Sequence, residues 1–565
     1  MITKDYENLL NKFKQSLDID HVRDKKHLKT LLVSINSKYI HPGIGVHQLY
    51  ANSIHDVDYI EFTIKDDINK IIDYITNYNC EAVGLSVYIW NIEIIKLILS
   101  KVNNKIIILG GPEASYNLSL IDREITFIIK GEGEESFNEL ISYLKGDLPI
   151  NKVSNLYYYE NDIIKYTYNK NPNLNNIKHD LSLIGDYKNK ICYLESSRGC
   201  YFNCSYCLAS TEKPVRFFPL EEVKANILFL LNNNAKIIKF LDRSFNINKL
   251  YTLEILKFIK EHDNGITTFQ FEVVGDHFDD EVIDLINSLR PKMIRFEIGI
   301  QTTNKETTKA ILRKQDFNLL RDNINKIKDN IVIHTDLIAG LPYEDLNSFK
   351  KSFNETFLLF TEELQLGFLK ELKGTHISNT KDIHDYEFQD TSPYEVIKNK
   401  YITNEELQII KYVELGVDRF YNRGEFPRLM NYLFKVLKLN PFETFYQSLK
   451  FITKDCPLSS YQVPDLTNIL YKSLCPLVPD VDELFYVIKK DYLSRTNIKP
   501  KIFWNPNITK PTRKIVYEYV SNTYKVNINT LYGHAHIDKL ETDTYNLYFI
   551  INYKDNKQYE VKIDK

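Results

Sequence analysis

Three cysteines fall within the thirteen residues Glu195-Ser-Ser-Arg-Gly-Cys200-Tyr-Phe-Asn-Cys204-Ser-Tyr-Cys207, spaced C-x3-C-x2-C. Thiolates this close on one loop can converge on a single metal centre. Three of them fall one short of the four-ligand shell of a structural zinc or an ordinary cubane cluster. A [4Fe–4S] cluster held by Cys200, Cys204 and Cys207 would leave one iron open to an outside ligand. The alternative, three unrelated core thiols, fits poorly with their density and with the apolar strand Ile191-Cys-Tyr-Leu194 just before them.

A loop of this kind needs a scaffold, and the following residues supply one. An amphipathic helix carries Leu220, Val223, Ile227, Leu230 and Leu231 on one stripe. Strand candidates then alternate with helices: Ile237–Leu241, Thr268–Glu272, Met293–Glu297, Ile331–Asp336 and Leu364–Leu369. With the strand before the cysteines this makes six β/α units, a partial barrel rather than a closed eight-fold one. Polar residues gather at strand carboxyl ends, where a barrel places its chemistry: Asp242 with Arg243, Glu272, Glu297 with Gln301, and Asp336.

The cysteine spacing, with Tyr206 before the third cysteine, resembles the cluster loop of radical S-adenosylmethionine (SAM) enzymes. There the open iron chelates the amino and carboxylate groups of SAM. The resemblance extends to Phe240-Leu-Asp-Arg-Ser-Phe-Asn246, where the family contacts the SAM amino group. It also covers Glu297-Ile-Gly-Ile-Gln301 with Arg313, which meet ribose and carboxylate, and the G-x-P-x-E string at Gly340, Pro342 and Glu344, which borders the adenine. It thus implies Cys200, Cys204 and Cys207 as cluster ligands, and Tyr206, Asp242, Glu272, Glu297, Gln301, Arg313, Gly340 and Pro342 at SAM. The chemistry suits, since a guanidinium pairs with a carboxylate and an amide or acid with ribose hydroxyls.

Ahead of this core, residues 1–28 read as an appended helix with Tyr6, Leu9, Leu10, Phe13 and Leu17 on one face. Residues 29–150 alternate apolar strands (Thr30–Ile35, Tyr59–Thr63, Ala82–Val87, Lys105–Leu109, Ile125–Ile129) with helices, which predicts a parallel sheet covered on both faces. Ligands of such sheets bind beyond the strand carboxyl ends. There lie Gly110-Gly111-Pro112-Glu113 and Gly131-Glu132-Gly133-Glu134, and, after the third strand, Tyr88 and Trp90. Directly before a radical SAM loop, this segment resembles the Rossmann-like cobalamin-binding domain of one large class of that family. The resemblance implies that Tyr88, Trp90, Gly110, Gly111, Pro112, Glu113, Gly131 and Gly133 face cobalamin. Domains that supply an axial histidine carry D-x-H-x-x-G after the first strand. Here the loop reads Asn36-Ser-Lys-Tyr-Ile-His41-Pro-Gly, with no Asp two residues before His41. His41 is therefore expected to be a loop residue, leaving the cobalt without a protein histidine.

Residues 151–190 are polar and turn-rich and read as a linker, 191–375 as the core, and 376–565 as a C-terminal domain. In the last, Thr403-Asn-Glu-Glu406 is a capping box opening a helix, and Leu429–Leu437 is a second helical stretch. Tyr545–Ile551 and Tyr559–Ile563 read as a hairpin, and His534 and His536 as alternating on one strand. The expected fold class is α/β: a Rossmann-like domain, a partial (β/α)6 TIM barrel and a mostly helical α+β domain. The whole resembles proteins joining a cobalamin domain, a radical SAM core and a C-terminal domain of unknown function.

Composition narrows the partners. The 565 residues carry 72 basic and 75 acidic side chains, so no global field selects a polyanion, and nucleic acid is not expected. Seven cysteines, with Cys80, Cys192, Cys456 and Cys475 read as buried hydrophobes, point to a reducing compartment. No run of eighteen apolar residues and no signal peptide is read, so a cytoplasmic protein without a membrane span is expected. The resemblance implies an enzyme that reductively cleaves SAM to a 5′-deoxyadenosyl radical and methylates an unactivated carbon with a methyl group carried on cobalamin. Its substrate would be a small molecule or natural product, its electron donor a flavodoxin or ferredoxin. The alternatives are a cobalamin-assisted cyclisation or rearrangement, and a non-catalytic sensing module. A transfer-RNA methylthiotransferase would carry a second set of three cysteines before the core, and only Cys80 lies there.

Overall fold

A computed structural model describes residues 28–449 apart from Asp122 and Glu124, together with 463–495 and 508–565. The appended helix expected before residue 28, and Cys456, lie outside the described residues.

The first sheet begins with β1 (Thr30–Asn36), β2 (Val57–Thr63), β3 (Ala82–Ser86), β4 (Ile106–Gly110) and β5 (Thr126–Ile129). These five run parallel in the order β2-β1-β3-β4-β5. Their apolar runs are continuous because two hydrophobic layers sandwich them. Val33, Val83, Ile107 and Ile128 face one layer, and Leu32, Ala82, Ile108 and Phe127 the other.

One expectation is corrected here. Residues 151–190 are not only a crossing segment: β6 (Leu156–Glu160) and β7 (Ile163–Tyr166) form an antiparallel hairpin that extends the sheet beyond β5. The hairpin is closed by Asn161 and Asp162, both at positive φ (51° and 61°), a type I′ requirement that Asn and Asp tolerate. Its tyrosines pair across the strands, with Tyr157 and Tyr166 at 4.4 Å between centroids.

The second sheet holds the six expected parallel strands. They are β8 (Cys192–Leu194), β11 (Ile237–Phe240), β12 (Thr268–Val273), β13 (Ile294–Gln301), β14 (Val332–Ala339) and β15 (Glu363–Phe368), in the spatial order β15-β14-β13-β12-β11-β8. Between β8 and β11, the two-residue strands β9 (Ser197–Arg198) and β10 (Arg216–Phe217) pair antiparallel and bracket the cysteines. In β13 the side chains alternate strictly: Ile294, Phe296, Ile298 and Ile300 are buried, while Arg295, Glu297 and Gln301 are only partly so. The apolar face packs against the helices, and the other side carries charge. Phe240, Phe245 and Phe271 stack at 4.1 to 5.6 Å behind β11 and β12 and hold the strand ends bearing Asp242 and Glu272. Each such pair adds about 0.5–1.5 kcal/mol beyond area burial.

The C-terminal region opens with a short antiparallel pair, β16 (Glu387–Phe388) and β17 (Val396–Lys398). The capping box of Thr403 and Glu406 is formed and starts the helix Asn404–Val417. The second stretch is a helix over Pro427–Asn431 running into π turns over Tyr432–Val436. A sheet of β18 (Ala535–Glu541), β19 (Tyr545–Asn552) and β20 (Lys557–Asp564) closes the chain, the last two being the expected hairpin. His534 does not alternate with His536 on a strand. It ends the helix Ile528–His534, and only His536 lies on β18. Cys80 and Cys192 are buried as expected, whereas Cys475 is half-buried.

Candidate functional site

The carboxyl ends of the two parallel sheets meet. Loops that follow β3, β4 and β5 touch the cysteine loop after β8 or the segment after β15, Tyr116 and Thr211 sharing a hydroxyl contact at 2.9 Å. The loop after β1 meets the start of β8, where the Ile191 amide donates to the Ile40 carbonyl at 2.9 Å.

The cysteine loop is fastened from several sides. The Cys200 amide donates to the Glu212 carbonyl at 3.0 Å, and the Lys213 ammonium donates to the carbonyls of Cys200 and Phe202. The Ser205 amide donates to the Ile311 carbonyl at 2.9 Å. Cys200 and Cys204 are buried and Cys207 is half-buried. Burial pushes the Cys200 and Cys207 thiols up, and neighbouring thiols of the set add to the shift. Two guanidiniums stand by. Arg243 lowers Cys200 and Cys207, and Arg313 Nη1 lies 3.7 Å from Cys204 Sγ. Such a thiol set, facing one space beside cations, suits a cluster whose bound thiolates carry negative charge. Among the described residues no three His, Cys, Asp or Glu side chains gather closely enough for a single metal ion. Ligands to three different corners of a cubane stand further apart than ligands to one ion.

Around this loop the structure places the expected SAM contacts unevenly. Tyr206 is half-buried with its phenol pushed up by desolvation, and its hydroxyl accepts from Arg313 Nη1 at 3.4 Å. Arg313 also donates to Gln315 Oε1 at 3.0 Å and to the Gly299 carbonyl. Glu272 sits 4.0 Å from Arg243, and burial raises its carboxyl. Gln301 takes a positive φ of 68° and leaves its buried Oε1 without a hydrogen-bond partner. Gly340 and Pro342 lie at the end of β14, with Pro342 buried. Glu344 accepts from Thr302 Oγ1 at 2.5 Å and Ser352 Oγ at 3.1 Å, and burial pushes its carboxyl up to about 7.

Two of these residues also have strong partners within the protein. Asp242 accepts from the Ser196 amide (2.9 Å), Ser196 Oγ (2.6 Å) and Ser197 Oγ (2.5 Å). Burial still pushes its carboxyl up to about 6. Glu297 is held by Lys239, whose ammonium lies 2.7 and 2.8 Å from its two oxygens.

On the first domain, Tyr88 and Trp90 stack on each other at 4.3 Å and 7°, and Trp90 Nε1 donates to the Ile35 carbonyl at 3.2 Å. Gly110 ends β4, and a Cβ there, or at Gly131 after β5, would meet nothing within 4 Å. That open, side-chain-free surface fits the close approach of a large flat ligand such as a corrin. Gly111 instead packs on Val87, whose carbonyl a Cβ would meet at 2.7 Å, Pro112 is exposed, and Gly133 packs near Leu49. Glu113 is buried and accepts from Tyr394 Oη at 3.1 Å. His41 Nδ1 is 2.7 Å from Tyr193 Oη, and burial lowers its pKa.

The residue that sequence reasoning missed is Arg198, two positions before Cys200. Its guanidinium binds Glu132 Oε2 (2.9 Å), Glu134 Oε1 (2.7 Å) and Glu195 Oε2 (2.7 Å), and Arg216 also binds Glu132. Burial alone would raise the Glu195 carboxyl, but Arg198 and His179 hold it at about 2. The only sequence signal was a charged side chain lodged between small residues on a ligand loop.

Comparison with known proteins follows these divisions. Residues 31–141 match the B12 binding domain, 194–355 the radical SAM superfamily, and 382–563 a protein of unknown function (DUF4080). An uncharacterised methyltransferase of Pyrococcus horikoshii is 27% identical over 49% of this chain and 67% of its own. The cobalamin-dependent radical SAM methyltransferase TokK of Streptomyces tokunonensis is 24% identical over 48% of this chain and 44% of its own. The chain thus spans between under half and two thirds of these curated relatives. The structure of the cobalamin-dependent SAM radical enzyme OxsB with aqua-cobalamin bound superposes with a TM-score of 0.59 at 14% identity, over 87% of this chain and 86% of that one. No helix among the described residues is long and apolar enough to cross a membrane.

Proposed function

We propose, for a chain that joins a B12 binding domain to a radical SAM superfamily core and so takes cobalamin, a [4Fe–4S] cluster and SAM as cofactors, that it methylates an unactivated carbon of a small molecule. One observation carries the reading. Arg198 ties the cysteine loop to the glycine loop of the first domain through Glu132 and Glu134, which supports a reading in which the two cofactors act on one substrate. When bound, these groups supply the electron that cleaves SAM, the radical that takes a substrate hydrogen, and the methyl group.

The chain's own residues then have definite tasks. Cys200, Cys204 and Cys207 hold the cluster. Arg313, half-buried beside Cys204, would offer a cation to the SAM carboxylate, and the unpaired Gln301 Oε1 an acceptor to a ribose hydroxyl. Asp242 braces Ser196 and Ser197 and thereby fixes where the cysteine loop leaves β8. Gly110 and Gly131 would let a corrin approach the backbone, with the stacked Tyr88 and Trp90 as further contacts.

The test is anaerobic incubation of reduced, reconstituted protein with cobalamin and methyl-labelled SAM. The expected result is label recovered on cobalamin together with S-adenosylhomocysteine. Production of 5′-deoxyadenosine with no methyl label ever reaching cobalamin would instead favour cyclisation or rearrangement. Neither product would leave only a sensing module.

The cobalt's lower face gives a second check. Because His41 is engaged with Tyr193, electron paramagnetic resonance of the Co(II) state should show unsplit cobalt lines, unchanged in His41→Ala. Nitrogen triplets that disappear in His41→Ala would make His41 the ligand after all.

A further inference from the structure

The region matching a protein family of unknown function starts by reaching across both proposed cofactor surfaces. Towards the first domain, Tyr394, itself buried, donates its hydroxyl to the buried carboxylate of Glu113 at 3.1 Å, and Ser392 Oγ donates to the carbonyl of Ile89, between Tyr88 and Trp90. Towards the core, Tyr386 Oη and Asn399 Nδ2 both donate to the Gly340 carbonyl at 2.9 Å. Gly340 has a φ of 87°, and a Cβ there would meet Val396 Cγ1 at 2.7 Å, so this loop and β17 fit only with glycine at that position. The segment is itself anchored to β15's continuation: Val396 N donates to the Leu369 carbonyl at 2.8 Å, and Glu371 N to the Tyr394 carbonyl at 3.0 Å.

We infer that residues 386–399 are a strap that fixes the glycine loop after β4 and the Gly340 loop after β14 in one geometry, and that Tyr394 is its positioning residue on the cobalamin side. The inference rests on the function proposed above, and it gives the opening of the unassigned region a role. The physical basis is that the two ends of the strap, Tyr386 and Asn399, bond to Gly340, while its middle, Ser392 and Tyr394, bonds to the first domain. A loop displaced at Glu113 therefore pulls on the same short segment that holds Gly340. A hydroxyl donated to a buried carboxylate is among the stronger kinds of hydrogen bond, and losing it leaves that carboxylate underpartnered.

The experiment uses the full chain, with the cluster reconstituted and cobalamin withheld. Tyr394→Phe keeps the ring and deletes only the hydroxyl. Titration with cobalamin, followed by absorbance, should show about a tenfold loss of affinity, as for a hydrogen bond to a charged group. Iron content should stay unchanged. Glu113→Gln should lose a similar factor, and the double variant little more than either single one, because both remove the same contact. Hydrogen exchange supplies the second readout. Cobalamin alone should slow exchange in 386–399 and in the Gly340 loop of the natural protein, and less so in Tyr394→Phe. Unchanged affinity and exchange in Tyr394→Phe, or protection confined to the first domain, would overturn the strap. If the natural protein binds no cobalamin at all, it is the proposed function that falls.

Discussion

Cys204→Ala should yield a folded protein that still binds cobalamin but has lost its iron–sulfur absorbance and all SAM cleavage. The same holds for Cys200→Ala and Cys207→Ala, since three ligands leave no redundancy once one iron is kept open. The effect is all-or-none because the loop has few other donors: beside the three thiols stand Arg243, Arg313 and the phenol of Tyr206, two permanent cations and a raised hydroxyl. None can replace a thiolate. Cys80→Ala is the control, a buried thiol of the first sheet remote from the loop, and should keep both absorbance and cleavage. Iron and sulfide analysis with chromatography of 5′-deoxyadenosine checks the prediction. A Cys204→Ala protein retaining its cluster and full turnover would remove the assignment of this loop.

What the sequence made legible follows from where information is local. The parallel strands of both sheets stand out because β1 and β4, covered on both faces, read as continuous apolar runs, and because β13 and β14 alternate cleanly. The cysteine spacing is likewise local. The hairpin of β6 and β7 escaped notice because its strands are tyrosine-rich and its turn is Asn161-Asp162, a pattern that resembles a polar linker until the partner β5 is known. Asp242 shows what a local pattern leaves out. Its place after β11 suits a ligand contact, but its oxygens serve Ser196 and Ser197, which lie 46 and 45 residues away. Contacts that join domains were invisible: Tyr394 and Glu113 are 281 residues apart, and Arg198 and Glu132 are 66 apart. Nothing in a local pattern says which of many acids a given arginine meets.

Arg198→Met should be the most damaging change outside the cysteines. The guanidinium is buried with three carboxylates around it, of which Glu134 keeps only 6% of its side-chain exposure. Removing one partner of a buried ion pair leaves uncompensated charge and costs about 3–5 kcal/mol, more than the pair's net worth. Here Glu132, Glu134 and Glu195 would repel one another, with Arg216 left to neutralise only Glu132. The first domain's glycine loop should then draw away from the cysteine loop. Cobalamin affinity and cluster occupancy should fall together. Arg198→Lys should recover only part of the loss, since a single ammonium cannot reproduce a planar fork that spans Glu132 and Glu134. Pairing Arg198→Met with Glu134→Gln removes one of the stranded charges, so the double variant should be less impaired than the sum of the singles, by about 0.5–3 kcal/mol. Cobalamin titration and iron analysis on all four proteins close the cycle. Strict additivity, or Arg198→Met binding cobalamin as the natural protein does, would show that the two domains are held together by other contacts.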